Sequence, residues 1–152
     1  MDINKLIDIN YTTESRLSRR TGSGSTQEFF TPSSVVFNMC SKIPSSTWEN
    51  PESNYLEPCF GNGNFLLAII YLKIKSGSTW LQALEHTYGV ELMQDNVVEA
   101  KERILELFDK MEISYDKEEA IKIMDKNLVC SDFFKWDFDN WRPIVEGSVG
   151  LF

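Results

Sequence analysis

The chain is poor in the residues that build metal sites and disulfide frameworks. It has one histidine, His86, and three cysteines, Cys40, Cys59 and Cys130. A four-ligand zinc site would have to use every one of them. Three widely spaced cysteines without a C-x-x-C pair form no disulfide framework either, so they are expected as buried thiols and no metal is expected. Long hydrophobic runs are also missing. The longest, Phe65–Leu72, is closed by Lys73 and Lys75 and falls far short of the ~20 apolar residues of a membrane span. The start lacks a basic stretch followed by an apolar one, so no secretory signal is read and a cytoplasmic protein is expected. Positive charge is in deficit, with 15 Lys and Arg against 23 Asp and Glu, a net charge of -8 and a pI near 4.7. Proteins that grip nucleic acid unaided carry a basic face that neutralises phosphates. Arg16, Arg19 and Arg20 are offset by Asp2, Asp8, Glu14 and Glu28, so direct DNA contact is expected to be weak or indirect. There is no G-x-x-x-x-G-K-[ST], and a Walker-type triphosphate site is unsupported.

What is present is the composition of a globular domain: 42% hydrophobic and 25% charged residues in a chain of 152, enough for one core. Residues 1–27 are polar and include Thr21-Gly-Ser-Gly-Ser-Thr26, which predicts a flexible N-terminal segment, with some helix conceivable around Lys5–Ile9. The ordered domain is expected over 28–152. Thr31-Pro32-Ser33-Ser34 opens a helix carrying Val35, Val36, Met39 and Ile43, and Pro44 closes it. Ser45–Ser53 reads as loop and Asn54–Glu57 as a short strand. A helix follows over Asn64–Lys75, then a second helical piece capped by Thr79 through Glu85. Tyr88–Leu92 reads as a strand, and Asn96–Met111 as an amphipathic helix with Val97, Val98, Ile104, Leu105 and Phe108 inward. Lys126–Cys130 is a third strand. This β-α-β-α-β order predicts a parallel sheet with right-handed crossovers.

The chemistry-bearing stretch is "YLEPCFGNGNFL", Tyr55–Leu66. Gly61 and Gly63 let the backbone approach a ligand closely, and the helix after them presents unpaired N–H groups. A lone G-x-G equally describes a tight strand-to-helix turn with no ligand. Glu91, at the end of the second strand, is where doubly wound folds hold ribose hydroxyls; a helix-capping carboxylate is the alternative. Two acids at strand ends, Glu57 and Glu91, suit a cofactor with positive charge better than a pyrophosphate.

Four segments taken in order, "QEFFTPSSVVFNM", "LEPCFGNGNFL", "YGVELMQDNVVEAKERI" and "VCSDFFKWDF", resemble the cofactor-binding motifs of the S-adenosylmethionine-dependent N6-adenine DNA methyltransferases of restriction-modification systems. The resemblance covers about Gln27 to Phe138. It implies a class I methyltransferase-like, Rossmann-like three-layer α/β sandwich, and S-adenosylmethionine as cofactor. Phe30, Thr31 and Pro32 match the segment over the methionine end. Glu57 and Pro58 match the acidic strand end that faces the amino group, Gly61 and Gly63 the close-approach turn, and Glu91 the ribose carboxylate. Asp132 and Phe133 match the pair that meets the adenine. As alternatives, Asp132 can cap the next turn, and Phe133 and Phe134 can be ordinary core.

The resemblance then requires an Asn/Asp-Pro-Pro-Tyr/Phe motif, which holds the target amine and stacks on the flipped base. The sequence here reads "NWRPIVEGSVGLF", and Ser148–Gly150, at about the expected place, carries neither the amide nor the proline pair. The stretch therefore matches the cofactor half only, with no catalytic residue assigned, and methyl transfer is expected only if a partner supplies the motif. A catalytically inactive regulator of a restriction-modification complex is the alternative. In the family a fourth strand lies beside the first, so the first strand is expected as an exposed edge open to a protein partner or to self-association. Arg142–Phe152 is expected to serve as a makeshift fourth strand.

Overall fold

The structure, a computed structural model, describes residues 1–8 and 30–145. Its helices are α1 (Ile3–Asp8), α2 (Ser33–Cys40), α3 (Ser45–Glu49), α4 (Asn64–Lys75), α5 (Trp80–Glu85), α6 (Gln94–Lys110) and α7 (Lys117–Asn127). The strands are β1 (Tyr55–Glu57), β2 (Thr87–Glu91), β3 (Leu128–Cys130), β4 (Trp136–Asp137) and β5 (Arg142–Pro143). β1, β2 and β3 form one parallel sheet in that order. The chain is thus mixed α/β, with α4 and α5 in the first crossover and α6 and α7 in the second.

Local signals account for most of these elements. Thr79 accepts from the Gln82 N–H while the Gln82 side chain accepts from the Thr79 N–H, a capping box that starts α5. Pro32 and Pro44 both hold the N-cap position at extended ψ. Pro44 therefore starts a helix, α3, where the sequence predicts loop; α2 has already ended at Cys40. Helix α7 was not foreseen, although Asp116 caps it by accepting from the Glu119 N–H at 2.9 Å and acids fill its first turn. It takes Lys126 and Asn127 out of the predicted third strand. In α6 the inward residues are Val97, Ala100, Arg103, Ile104, Leu107 and Phe108, whereas Val98 is exposed.

Of the predicted flexible segment, residues 1–8 are described, and they carry α1. Ile3, Leu6 and Ile7 of α1 are buried in the main core beside Val36, Leu66, Leu67 and Phe108. Residues 9–27 lie outside the described part.

The strand register sorts side chains onto two faces. Tyr55, Glu57, Thr87, Gly89, Glu91, Leu128 and Cys130 share one, and Leu56, Tyr88, Val90 and Val129 the other. Helices cover the first: Trp48 of α3 stacks on Tyr55 at 4.7 Å, Thr87 Oγ1 donates to Ala83 O of α5 at 2.7 Å, and Asn96 Nδ2 of α6 donates to Glu91 Oε1 at 3.4 Å. Successive strands laid down in one direction with right-handed crossovers put the helices of both crossovers on the same side. Instead of three layers, the described residues give a helical layer on one face. On the other face Tyr88 meets Trp141 at 4.9 Å, and Trp141 also touches Trp136 and Phe138. Trp136 lies on β4 of the antiparallel pair β4–β5, and Phe138 and Trp141 lie in the connection between its strands. Arg142 and Pro143 thus pair with Asp137 and Trp136 rather than beside β1, which corrects the predicted makeshift strand for those residues; 146–152 lie outside the described part. Among the described residues β1 pairs with β2 alone, and Leu56 on it is 47% exposed.

Under β1, Lys73 is fully buried and donates to Pro51 O at 3.2 Å and Ser53 O at 2.9 Å. Its ammonium lies 5.0 Å from the centre of the Tyr55 ring, and burial pushes its pKa down. The Tyr55 hydroxyl is buried without a hydrogen-bond partner. Burial, and secondarily the Cys40 thiolate, pushes it up to about 12 from 10.0. A raised acid keeps its proton longer in the fold than in the unfolded chain. Its contribution is complete below pH ~10 and is lost as pH rises through about 12. Tyr55→Phe is therefore expected to match or exceed the wild type at pH 7 by up to about 1 kcal/mol. Between pH 9 and 12 the wild type should lose about 2–3 kcal/mol more than the variant. Urea midpoints across that range check this, and parallel alkaline curves contradict it.

Candidate functional site

At the C-terminal end of β1 the chain turns sharply through Phe60–Gly63. The Phe60 N–H donates to Val90 O at 3.3 Å, and the Gly63 N–H to Phe60 O at 2.8 Å, which closes the turn. Gly61 and Gly63 both have positive φ, 55° and 92°. At Gly63 a side chain is excluded for a second reason, since an added Cβ would stand 2.9 Å from the Ala100 Cβ of α6. Gly63 thus brings α4 and α6 together, and Gly61 is the glycine that faces the cavity.

That cavity, about 120 Å³, is lined by Phe30, Thr31, Glu57, Cys59, Phe60, Gly61, Asn62, Asn64 and Phe65. Four predicted site residues from two separate motifs therefore meet: Phe30, Thr31, Glu57 and Gly61. The strap carrying Phe30 and Thr31 is held down by Asn64 Nδ2, which donates to Thr31 O at 2.8 Å. Burial pushes the Glu57 carboxyl up, partly offset by the Cys59 backbone N–H. Cys59 and Cys130 are exposed rather than buried as expected; the Cys59 thiol is raised by partial desolvation first and then by the Glu91 and Glu57 charges, so both carboxylates act on the same spot. Asn62 is 2% exposed and its Oδ1 accepts no hydrogen bond. The half-buried Glu57 carboxylate and the buried Asn62 amide oxygen call for a donor-rich or cationic group.

Glu91 lies beside this cavity without lining it. Only 8% exposed, it accepts at Oε2 from the Gly61 N–H at 2.7 Å. Its Oε1 accepts from the Met93 N–H at 3.0 Å and from Asn96 Nδ2. The carboxylate thus ties the glycine turn to the start of α6, a structural role of the kind the capping alternative describes. Oε2 retains one lone pair for a hydroxyl. Asp132 accepts from the Phe134 N–H at 2.9 Å and caps the 3₁₀ turn Phe133–Lys135, with Oδ2 left open. Phe133 and Phe134 are both exposed, Phe134 at 85%, so neither is core. Pro32 is the N-cap of α2, and Pro58 follows β1; neither lines the cavity, nor do Gly63, Asp132 and Phe133.

Sequence reasoning missed Asn62, Asn64 and Arg103. The two asparagines stand inside the quoted "GNGN", but their roles depend on partners far along the chain. Arg103 left a clearer trace, a lone charge within the inward stripe of α6. A larger cavity, about 360 Å³, lies at β1 among Asn54, Tyr55, Leu56, Tyr88, Phe138, Asp139 and Trp141. It contains no predicted site residue.

Among the described residues no group of three or more His, Cys, Asp and Glu is arranged to hold a metal, and no helix is long and apolar enough to cross a membrane. Comparison with protein-family models, curated proteins and solved structures finds no match.

Proposed function

We propose that this chain carries the S-adenosylmethionine-binding half of an N6-adenine DNA methyltransferase-like domain. The observation that carries the proposal is the convergence of Phe30, Thr31, Glu57 and Gly61 on one cavity at the strand ends, beside Glu91. Glu57 and the open Asn62 Oδ1 suit the amino group of the methionine moiety, Glu91 Oε2 a ribose hydroxyl, and Asp132 with Phe133 the adenine. Two carboxylates also favour the sulfonium charge. When bound, the cofactor supplies an electrophilic methyl group. Transfer to adenine needs the Asn/Asp-Pro-Pro-Tyr/Phe motif from a further stretch of chain or from a partner. The cavity is smaller than the ~300 Å³ at which small-molecule sites usually begin. The Phe30 ring, 3.2 Å from where a Gly61 Cβ would stand, has to swing aside for the whole cofactor.

A second proposal is a protein-binding regulator that uses no cofactor. It is favoured by the bonds that already engage Glu91 and Asp132 and by the edge of β1, which no other strand among the described residues pairs. Calorimetric titration with S-adenosylmethionine separates the two. The cofactor proposal expects saturable one-to-one binding, weakened about tenfold or more, ~1.4 kcal/mol, by Glu57→Gln. A folded wild type that gives no binding heat at millimolar ligand removes it and leaves the regulator.

A further inference from the structure

Helix α1 has six residues, too few to be stable alone, so its helical form depends on docking. Besides its three buried apolar side chains, polar bonds hold its C-terminal end. Asp8 accepts from the Ser33 N–H at 2.8 Å and from Ser33 Oγ at 2.6 Å. The buried Arg103 adds two more: Nη2 donates to Leu6 O at 2.9 Å and to Ile7 O at 3.1 Å. Its other arm, Nη1, donates to Asn62 O at 2.7 Å and to Asn64 Oδ1 at 2.8 Å. One planar guanidinium, 4% exposed, therefore caps α1 on one side and fixes the glycine turn on the other. Asn64 extends the link to Thr31 O, on the strap over the cavity.

A guanidinium is a rigid fork, so orienting one arm orients the other. If α1 undocks, Nη2 loses both carbonyls, and any shift of the fork toward new acceptors is carried to the bonds of Nη1 with Asn62 and Asn64. We propose that Arg103 is a positioning residue through which docking of α1 sets the geometry of the Gly61–Asn64 turn, and with it the affinity of the adjoining cavity for its ligand. The ligand clause rests on the cofactor proposal above; the mechanical coupling stands without it. Coupling of this kind is reciprocal, so ligand in the cavity tightens α1 by the same factor.

Amide hydrogen exchange on the full chain tests the coupling without ligand. The reporters are the Gly61 and Gly63 N–H groups, bonded to Glu91 Oε2 and Phe60 O. Ile7→Ala loosens α1 from the core, and Asp8→Ala does so more gently should Ile7→Ala fail to fold. Either is expected to speed exchange at Gly61 and Gly63 about tenfold, with β2 and the centre of α6 unchanged. Arg103→Lys keeps the charge but cannot hold four acceptors. In that background the turn exchanges fast already, and the α1 variants add little. Faster exchange confined to α1 and α2, or equal increments in both backgrounds, overturns the coupling. Titration with S-adenosylmethionine is then run on the same variants. Parallel weakening supports the ligand clause, and affinity that is unchanged while turn exchange rises overturns it. A wild type without affinity defeats the cofactor proposal and its ligand clause, while exchange alone decides the coupling.

Discussion

Gly63→Ala should destabilise the chain by about 3–5 kcal/mol, the sum of a strained backbone and an overpacked contact. The φ of 92° is one that an L side chain rarely adopts, and the new Cβ would meet the Ala100 Cβ at 2.9 Å and the Ala100 Cα at 3.3 Å. Both atoms belong to the rigid middle of α6, so relief requires the helix to move. Gly77→Ala separates the two causes. Gly77 has a comparable φ of 108°, but nothing lies within 4 Å of its Cβ position, so that variant carries the backbone strain of about 1–3 kcal/mol alone. Chemical denaturation of the two variants side by side gives the packing share as their difference. Equal losses would mean that the approach of α4 to α6 at Gly63 contributes nothing. In Gly63→Ala/Ala100→Gly only the packing share should return, less about 1 kcal/mol for glycine within a helix.

Glu91→Ala is expected to cost about 3–4 kcal/mol. The Gly61 and Met93 N–H groups both lose a charged acceptor in a buried setting, and hydrogen bonds to charged groups contribute about 1.5–3 kcal/mol each. Glu91→Gln keeps one oxygen but turns an amide NH2 toward an N–H donor, so about half of that loss is expected. Urea midpoints should fall in the order wild type, Gln, Ala. An unaltered midpoint for Glu91→Ala would show that the carboxylate does not hold the turn. This dual position bears on any binding experiment. A ligand-affinity loss in Glu91→Ala mixes a missing ribose contact with a loosened Gly61, whereas Glu57→Gln leaves the turn's own bonds intact and reports on the cavity more directly.

The turn chemistry was legible because it is local. "GNGN" between a strand and a helix predicts a backbone closed to other residues, and Thr79 predicts a cap, each from its immediate neighbours. α4 was read to its exact bounds for the same reason. Helix α7 escaped although Asp116 and the acids after it are ordinary start signals, and α1 was assigned to the flexible segment because six residues of weak pattern carry no sign of what they dock against. The tail was expected beside β1, yet Arg142 and Pro143 turn back onto Asp137 and Trp136, a choice between two pairing edges that composition does not express.

By itself, then, the sequence determined an α/β chain with its crossover order, a glycine turn at the end of the first strand, and acids at two strand ends, because periodicity, capping and turn residues act over a few positions. Tertiary structure alone decided which groups are already engaged. Glu91 meets Gly61, Arg103 reaches back to Leu6 and Ile7, and Trp48, Ala83 and Asn96 of three helices meet the same face of the sheet. Hydrogen-bond partners and covered faces are set by residues tens of positions apart, whose proximity exists only once the chain has folded.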